Sequence, residues 1–276
     1  MTTADGFRDP RLVVEASSHC PDRSSQHDFN SIVRIWLRRL DCPAFQIAHH
    51  RSQLTAEELA KVERFRHAEA ARRYIVCRSN VRSLLAQLMG CKPAEVPIGY
   101  DGTGKPVLPA STGWYFNVSH SADYALIGIT RVGPIGVDIE KLRDGFQIEP
   151  IAQRFFSLTE ASDLLQLPPE DRVLAFFRCW TRKEAFIKAV GLGLAYPLDQ
   201  FDVTLLPHER PAIRRIRGET ALARAWALHE VPTPPGYVGA LAVPRKNAQV
   251  TFAVTEHLIP PHIPDFRAST DGRLDH

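Results

Sequence analysis

The sequence has no hydrophobic run long enough to cross a membrane, because no stretch of about eighteen consecutive apolar residues occurs. The N-terminal region is polar, with aspartates at positions 5, 9, 22 and 28. It lacks the apolar segment that a secretory signal peptide requires. We therefore predict a cytoplasmic protein without a membrane partner.

Paired cysteines are also missing. The five cysteines are odd in number, and none of them forms a CxxC motif. No histidine accompanies them at the spacing of a zinc site. This pattern argues against structural zinc and against a disulfide framework, and it predicts free thiols in a reducing compartment.

The chain has no strong excess of one charge. Its 34 basic and 31 acidic residues leave a formal net charge of +3. No aromatic residues alternate with the cations, so a nucleic-acid partner is disfavoured. Basic residues nevertheless concentrate in the region 61–82. An anionic small ligand or an acidic protein partner fits such a cluster better.

The chain organisation is predicted from polarity and periodicity. With 276 residues and 44% hydrophobic content, the chain suits a globular protein. We predict a mobile N-terminal arm over 1–30 and a C-terminal tail over 257–276. The Gly133–Pro134 turn divides the body into a first half, 31–132, and a second half, 133–256, which carries the metal site.

Helices are predicted from capping patterns and apolar spacing. Thr55–Glu58 and Ser157–Glu160 match the capping box, in which a hydroxyl residue precedes a glutamate by three positions. A longer helix fits Ala68–Met89, with Gly90 as its stop. A further helix of about twenty residues follows Pro168.

Strands are predicted where short apolar segments alternate with polar residues. They are Ser31–Leu37, Tyr115–Val118, Ala125–Thr130, Ile135–Glu140, Phe201–Leu205, Ala223–Val231, Tyr237–Val243 and Val250–Glu256. The alternation in the last four indicates antiparallel pairing. The repeated order of helices and then strands predicts an α+β fold of two pseudo-symmetric halves. Each half is a small antiparallel sheet packed with helices, and a site between the halves would draw residues from both.

The segment Gly136-Val137-Asp138-Ile139-Glu140 is the strongest candidate for chemistry. On a strand, Asp138 and Glu140 project from one face, about 7 Å apart at their Cα atoms. Two neighbouring carboxylates repel each other unless a cation lies between them. Mg²⁺ binds such oxygen ligands, whereas a solvated strand face is the alternative interpretation.

A second candidate lies on the helix after Pro168. Glu184 and Lys188 are four residues apart, so their side chains are neighbours beside the apolar stripe of that helix. Glu184 can supply a third carboxylate to a metal, and Lys188 can balance charge on a phosphate oxygen. The alternative is a surface ion pair worth about 0.3–0.5 kcal/mol.

The segment Ser119-His120-Ser121 follows a predicted strand and is the third candidate. Small hydroxyls and an imidazole can bind phosphate there, although such a turn can also bond only to its own backbone. The chain has no GxSxG elbow that would make either serine a nucleophile.

The fourth candidate is a basic set for anion binding, and at least half of it is expected to be solvated. Its members are Lys61, Arg64, Arg72, Arg73, Arg78 and Arg82, followed by Lys105 in Gly104-Lys105-Pro106.

Taken in order, these segments resemble the Sfp-type 4'-phosphopantetheinyl transferases. The resemblance covers about residues 55–205. It is carried by Gly104-Lys105-Pro106, Phe116-Asn117-Val118-Ser119-His120-Ser121, Gly136-Val137-Asp138-Ile139-Glu140, Arg154-Phe155-Phe156-Ser157, and Trp180 with Lys183-Glu184-Ala185 and Lys188.

The resemblance implies an enzyme that moves the phosphopantetheine arm of coenzyme A onto a serine of an apo acyl or peptidyl carrier protein. The product 3',5'-ADP leaves, and the reaction depends on Mg²⁺. Coenzyme A is expected between the two halves of a monomer. The carriers would serve nonribosomal peptide, polyketide or fatty-acid synthesis.

The resemblance also implies roles for single residues. Asp138, Glu140 and Glu184 would hold Mg²⁺, Glu184 would act as the base, and Lys188 would neutralise phosphate charge. The residues expected to contact coenzyme A are Lys61, Arg64, Arg73, Lys105, Ser119, His120, Lys183 and Lys188. A coenzyme A pyrophosphatase and a non-catalytic binding module are the competing interpretations.

Overall fold

The structure is a computed structural model, and it describes residues 12–15, 32–143, 145, 147–193, 196–245 and 249–254. The predicted tail and most of the predicted arm lie outside this part of the chain. Within the arm, Leu12–Glu15 form strand β1, which the sequence analysis did not predict. Among the described residues, no helix is long and apolar enough to span a bilayer.

The four predicted helices form where local signals placed them, and the described residues contain three further α-helices. In chain order, the helices are α1 (Ala44–Ser52), α2 (Ala56–Val62), α3 (Ala68–Met89), α4 (Ile148–Phe155), α5 (Leu158–Gln166), α6 (Pro169–Val190) and α7 (Thr220–Ala223). The sequence analysis did not predict α1, α4 or α7. Both capping boxes form, at Thr55 before α2 and at Ser157 before α5. Helix α3 ends at Gly90, whose φ of 70° places it in the left-handed region that glycine adopts without a steric penalty.

The strands are β1, β2 (Ile32–Arg39), β3 (Gly99–Tyr100), β4 (Pro106–Val107), β5 (Tyr115–Ser121), β6 (Tyr124–Thr130), β7 (Gly136–Lys141), β8 (Phe201–Val203), β9 (Ile213–Ile216), β10 (Trp226–Val231), β11 (Tyr237–Pro244) and β12 (Gln249–Val254). With the helices, they confirm the predicted α+β fold. The predicted strand over 223–231 is shorter than expected, because its first residue belongs to α7.

The larger sheet has the strand order β1-β12-β2-β6-β5. Strand β12 pairs in parallel with both β1 and β2, which corrects the prediction that the segment 250–256 pairs antiparallel. This strand comes from the second half of the chain and lies beside β2 of the first half. Apolar alternation alone could not reveal it, because alternation shows which face is buried and not which strand is the neighbour.

The second sheet has the order β10-β11-β7 and is antiparallel. Helix α6 packs against β7 at Gly136. A Cβ atom at this position would overlap the backbone of Ala185 and Ala189. Only glycine allows the helix to come this close, and the packing brings the polar flank of α6 toward the acidic end of β7.

Candidate active site

A cleft of about 780 Å³ opens where β5, β7 and α6 meet. Its wall combines acidic, basic and aromatic side chains. They are Val118, Ser119, His120, Asp138, Glu140, Arg154, Phe155, Trp180, Glu184, Lys188, Tyr196, Pro197, Leu198 and Asp199. The structure thus brings together residues that lie as far apart in the sequence as Val118 on β5 and Asp199 after α6.

Asp138 is the deepest acid of the cleft and is only 3% exposed. Its Oδ1 accepts hydrogen bonds from Ser119 Oγ at 2.8 Å and from Lys188 Nζ at 2.6 Å. Its Oδ2 is buried and has no hydrogen-bond partner among the described residues. Burial raises the pKa of Asp138, and the Lys188 ammonium opposes this effect. A buried acceptor without a partner is costly, so Oδ2 is suited to a ligand that is not protein.

Glu140 lies at the outer end of β7. Its Oε2 accepts a hydrogen bond from Ser121 Oγ at 2.8 Å and lies 3.6 Å from Arg143 Nη2. Burial raises the pKa of Glu140, and the charge of Asp138 raises it further. The carboxylate is therefore held by a hydroxyl on β5 but repelled by its neighbour on β7.

Glu184 projects into the same cleft from α6. Burial raises the pKa of this carboxyl to about 7, and the charges of Asp138 and Glu140 add to the shift, whereas Lys188 opposes it. Three acids with raised pKa values form a site whose negative charge exceeds the positive charge of Lys188, so that further positive charge would stabilise it.

A divalent cation would supply that charge. Within the described part of the chain, no three His, Cys, Asp or Glu side chains stand close enough together to enclose a metal ion. The donor set nevertheless fits Mg²⁺, because this ion takes carboxylate oxygens and keeps part of its water shell. The buried Oδ2 of Asp138 is the oxygen that most needs such a partner.

Comparison with known proteins identifies the family. The model of the 4'-phosphopantetheinyl transferase superfamily matches residues 134–242, and that of the N-terminal part of 4'-phosphopantetheinyl transferase matches residues 43–130. The 4'-phosphopantetheinyl transferase HetI of a Nostoc species is 36% identical over 214 residues, which is 76% of this chain and 87% of that protein. The chain belongs to the 4'-phosphopantetheinyl transferase family.

Two relatives from Bacillus subtilis agree with this assignment. A 4'-phosphopantetheinyl transferase is 40% identical over 152 residues, covering 55% of this chain and 66% of the relative. The 4'-phosphopantetheinyl transferase Sfp is 36% identical over 175 residues, covering 63% of this chain and 77% of the relative. The predicted resemblance and the predicted enzyme class are therefore confirmed.

The predicted phosphate-binding residues of the transferase divide into two groups. Ser119, His120 and Lys188 line the cleft, and Lys105 donates its ammonium group to the backbone carbonyl of Lys188. Partial burial lowers the pKa of His120, and the positive charges of Lys188 and Arg73 lower it further. Lys188 therefore supplies positive charge to the cleft, and Ser119 and His120 place polar side chains beside it.

The other predicted cations stand elsewhere in the transferase. Arg73 Nη2 donates to Asp123 Oδ1 at 2.9 Å, and its Nε lies 3.1 Å from Glu69 Oε1. Lys61 and Arg64 line a second cavity, of about 1010 Å³, which shares no lining residue with the first. The structure therefore does not bring these three residues into the acidic cleft.

Lys183 is buried and does not line the cleft, contrary to the prediction that it contacts phosphate. Its side chain is 0% exposed and forms a 2.7 Å ion pair with Glu160. Its Nζ also donates to the backbone carbonyls of Leu198 and Phe201, each at 2.6 Å. Helical spacing explains the error, because the residue beside Glu184 points about 100° away from it, into the core of the transferase.

Sequence reasoning missed several residues of the cleft wall. Arg154 and Phe155 occur in a motif of the family resemblance but received no site role, and Asp199 stood outside every motif. Trp180 was likewise named only as a carrier of the resemblance, yet its ring packs edge-to-face on Phe155 at 6.3 Å between ring centroids. The available signal was the neighbouring pair Arg154 and Phe155, whose guanidinium carbon and ring centroid lie 5.1 Å apart.

Proposed function

We propose that this transferase moves the 4'-phosphopantetheine group of coenzyme A onto a serine of an apo acyl or peptidyl carrier protein, releasing 3',5'-ADP, with Mg²⁺ as cofactor. The observation that carries the proposal is the cleft in which three acids face Lys188 and His120. Such a site combines ligands for a hard cation with donors for a diphosphate. The names of the relatives support the transferred group.

The proposed cofactor would be held by Asp138, Glu140 and Glu184. When bound, Mg²⁺ neutralises charge on the diphosphate oxygens and so lowers the barrier to phosphoryl transfer. Lys188, whose Nζ contacts Asp138, would add further positive charge for the diphosphate. His120 and Lys105 bind the phosphates of the nucleotide part.

In the reaction, the hydroxyl oxygen of the carrier serine attacks the β-phosphorus of coenzyme A. A phosphodiester bond to the serine forms, the bond from phosphorus to the bridging oxygen breaks, and the electron pair leaves with 3',5'-ADP. Glu184 accepts the serine proton, a role that suits a carboxyl whose pKa is raised to about 7.

Neither of the two serines on β5 beside the cleft acids is placed to act as the nucleophile. Ser119 and Ser121 are buried, and their hydroxyls donate to Asp138 and Glu140. An activated serine needs its proton directed to a base that carries it away. We therefore propose direct transfer without a covalent enzyme intermediate.

The test is incubation of the protein with coenzyme A, Mg²⁺ and an apo carrier, followed by intact mass of the carrier. We expect carrier modification and 3',5'-ADP release in a ratio of one to one. With a carrier that has alanine in place of its acceptor serine, we expect almost no release of 3',5'-ADP. Rapid release without a carrier would instead indicate a pyrophosphatase, and coenzyme A binding without any release would indicate a binding module.

Asp138→Asn is the first matched variant. It keeps the shape of the side chain but removes the charge, so we expect at least a hundredfold lower transfer rate with an unchanged fold, since metal-ligand charge is lost while packing stays. Asp163→Asn, on α5 and outside the cleft, serves as the control. Full activity of the Asp138 variant would contradict the proposed role.

A further inference from the structure

Strands β5 and β7 are joined by side chains. Strand β5 is the last strand of the larger sheet, and β7 is the last strand of the second sheet. Alternate residues of β5 face β7. Asn117 is one of them, and its Oδ1 accepts a hydrogen bond from the Val137 backbone N–H at 2.9 Å. The next two alternate residues are Ser119 and Ser121.

Ser121 connects this seam to Glu140. Its Oγ accepts a hydrogen bond from the Lys141 backbone N–H at 3.1 Å and donates one to Glu140 Oε2 at 2.8 Å. Because the backbone N–H fixes the hydroxyl as an acceptor, the hydroxyl proton is directed at the carboxylate. One oxygen of Glu140 is thereby held, and its second oxygen remains for another partner.

Ser119 makes the equivalent arrangement with Asp138. Its Oγ accepts from Lys188 Nζ at 3.1 Å and donates to Asp138 Oδ1 at 2.8 Å. The other oxygen, Oδ2, is the buried acceptor that has no partner among the described residues. Both serines are themselves buried, so neither hydroxyl is free to turn toward solvent.

We propose that Ser119 and Ser121 are positioning residues for the metal site. Each hydroxyl holds one oxygen of a β7 carboxylate, so that the second oxygen of Asp138 and of Glu140 is presented to the cation. This inference rests on the proposed function for the metal, and it assigns Ser119 a different role from coenzyme A binding. Hydrogen bonds of this kind fix the orientation of metal-ligating carboxylates.

The small size of serine is also part of the argument. Two strand edges that meet through side chains must approach closely, and a longer donor at either position would separate β5 from β7. The spacing of two residues on β5 matches the spacing of two residues on β7, so each acid has its own hydroxyl.

The experiment measures metal affinity without turnover. Mn²⁺ replaces Mg²⁺, because both ions take oxygen ligands, and free Mn²⁺ is followed by electron paramagnetic resonance with neither carrier nor coenzyme A present. We expect Ser119→Ala and Ser121→Ala to weaken Mn²⁺ binding by about 10- to 100-fold each. Ser121→Thr keeps the hydroxyl and should restore most of the affinity. Ser162→Ala, which removes an exposed hydroxyl on α5, should leave it unchanged.

The outcomes separate this inference from the proposed function. If the unmodified protein does not bind Mn²⁺, the proposed metal site fails, and the positioning role fails with it. If it binds Mn²⁺ and the alanine variants bind equally well, only the positioning role is overturned. Weaker coenzyme A binding in EDTA by Ser119→Ala, with unchanged Mn²⁺ affinity, would return Ser119 to the ligand-binding group. Should an alanine variant not fold, Ser→Cys at the same position keeps the volume and supplies a weaker donor.

Discussion

In the cleft, Lys188 has hydrogen-bond partners for its ammonium group, whereas the acids do not have enough partners among the described residues for their carboxylate oxygens. Lys188 Nζ contacts both Ser119 and Asp138, whereas Asp138 keeps one buried oxygen without a partner in the described structure. Uncompensated negative charge destabilises a folded protein at neutral pH and is relieved when a cation binds.

Glu184→Gln should therefore stabilise the metal-free protein at high pH. The pKa of Glu184 lies at about 7 in the fold against an ordinary 4.5, so the fold binds more protons than the unfolded chain between these values. The stability of the native protein falls as pH rises through that window, and the loss is complete above pH of about 7. At pH 8 in EDTA we expect the variant to be more stable by roughly 1–3 kcal/mol, and at pH 4 we expect no difference.

Urea unfolding at the two pH values measures this difference. Glu170→Gln, at the exposed beginning of the same helix, is the control and should show no such dependence. Added Mg²⁺ should reduce the advantage of Glu184→Gln, because the cation stabilises the native protein, with three carboxylates, more than the variant, with two. A variant less stable than the native protein at pH 8 in EDTA would refute the assignment.

At the scale of elements, the site depends on how closely α6 approaches β7. Gly136 has no side chain to separate them, and the backbone of Ala185 and Ala189 fills the space where a Cβ would stand. Glu184 and Lys188 therefore reach the cleft from α6, and the distance between α6 and β7 is set by this one glycine.

Gly136→Ala should push α6 away from β7. The new methyl group meets backbone atoms that cannot turn aside, so we expect a loss of roughly 1–3 kcal/mol in the free energy of unfolding, together with weaker Mn²⁺ binding. Gly99→Ala is the control, because its Cβ would meet no atom within 4 Å. Equal stability and equal Mn²⁺ affinity in both variants would show that the close packing is not needed.

Lys183→Met tests whether this lysine stabilises the core or contacts phosphate. The fully buried ion pair with Glu160 links α5, α6 and β8, since Glu160 Oε1 also accepts from the Val203 N–H at 2.7 Å. Removing one partner leaves a buried charge, so we expect a loss of about 3–5 kcal/mol. The double variant Lys183→Met/Glu160→Gln should recover part of it. An unfolding free energy that does not change, combined with weaker coenzyme A binding, would support the original phosphate role instead.

At the scale of the whole molecule, the two parts of the chain share one sheet. Strand β12 pairs with β2 over six residues, from Gln249 with Ile32 to Val254 with Leu37. The last described strand therefore completes the larger sheet. Folding of β2, near the start of the chain, depends on residues more than two hundred positions further along the sequence.

A chain that ends at residue 245 should consequently lose β12 and the pairing partner of β1, leaving only β2, β6 and β5 in the larger sheet. We expect lower strand content by circular dichroism and rapid proteolysis of the region around β2, because its edge is uncovered. A chain that ends at residue 256 retains β12 and is the matched control. Identical unfolding curves for the two chains would contradict the shared sheet.

Local sequence signals determined helices α2, α3, α5 and α6, the acidic strand and the family of this protein. Capping boxes, the Gly90 stop and the alternation of Asp138 with Glu140 depend on residues close in sequence, so their physics can be read from a short segment. Only the tertiary structure decided which cations share the cleft, that Lys183 is buried, and that β12 pairs in parallel with β2. These depend on the direction of a side chain relative to distant elements and on the choice of strand partner, which short-range periodicity does not specify.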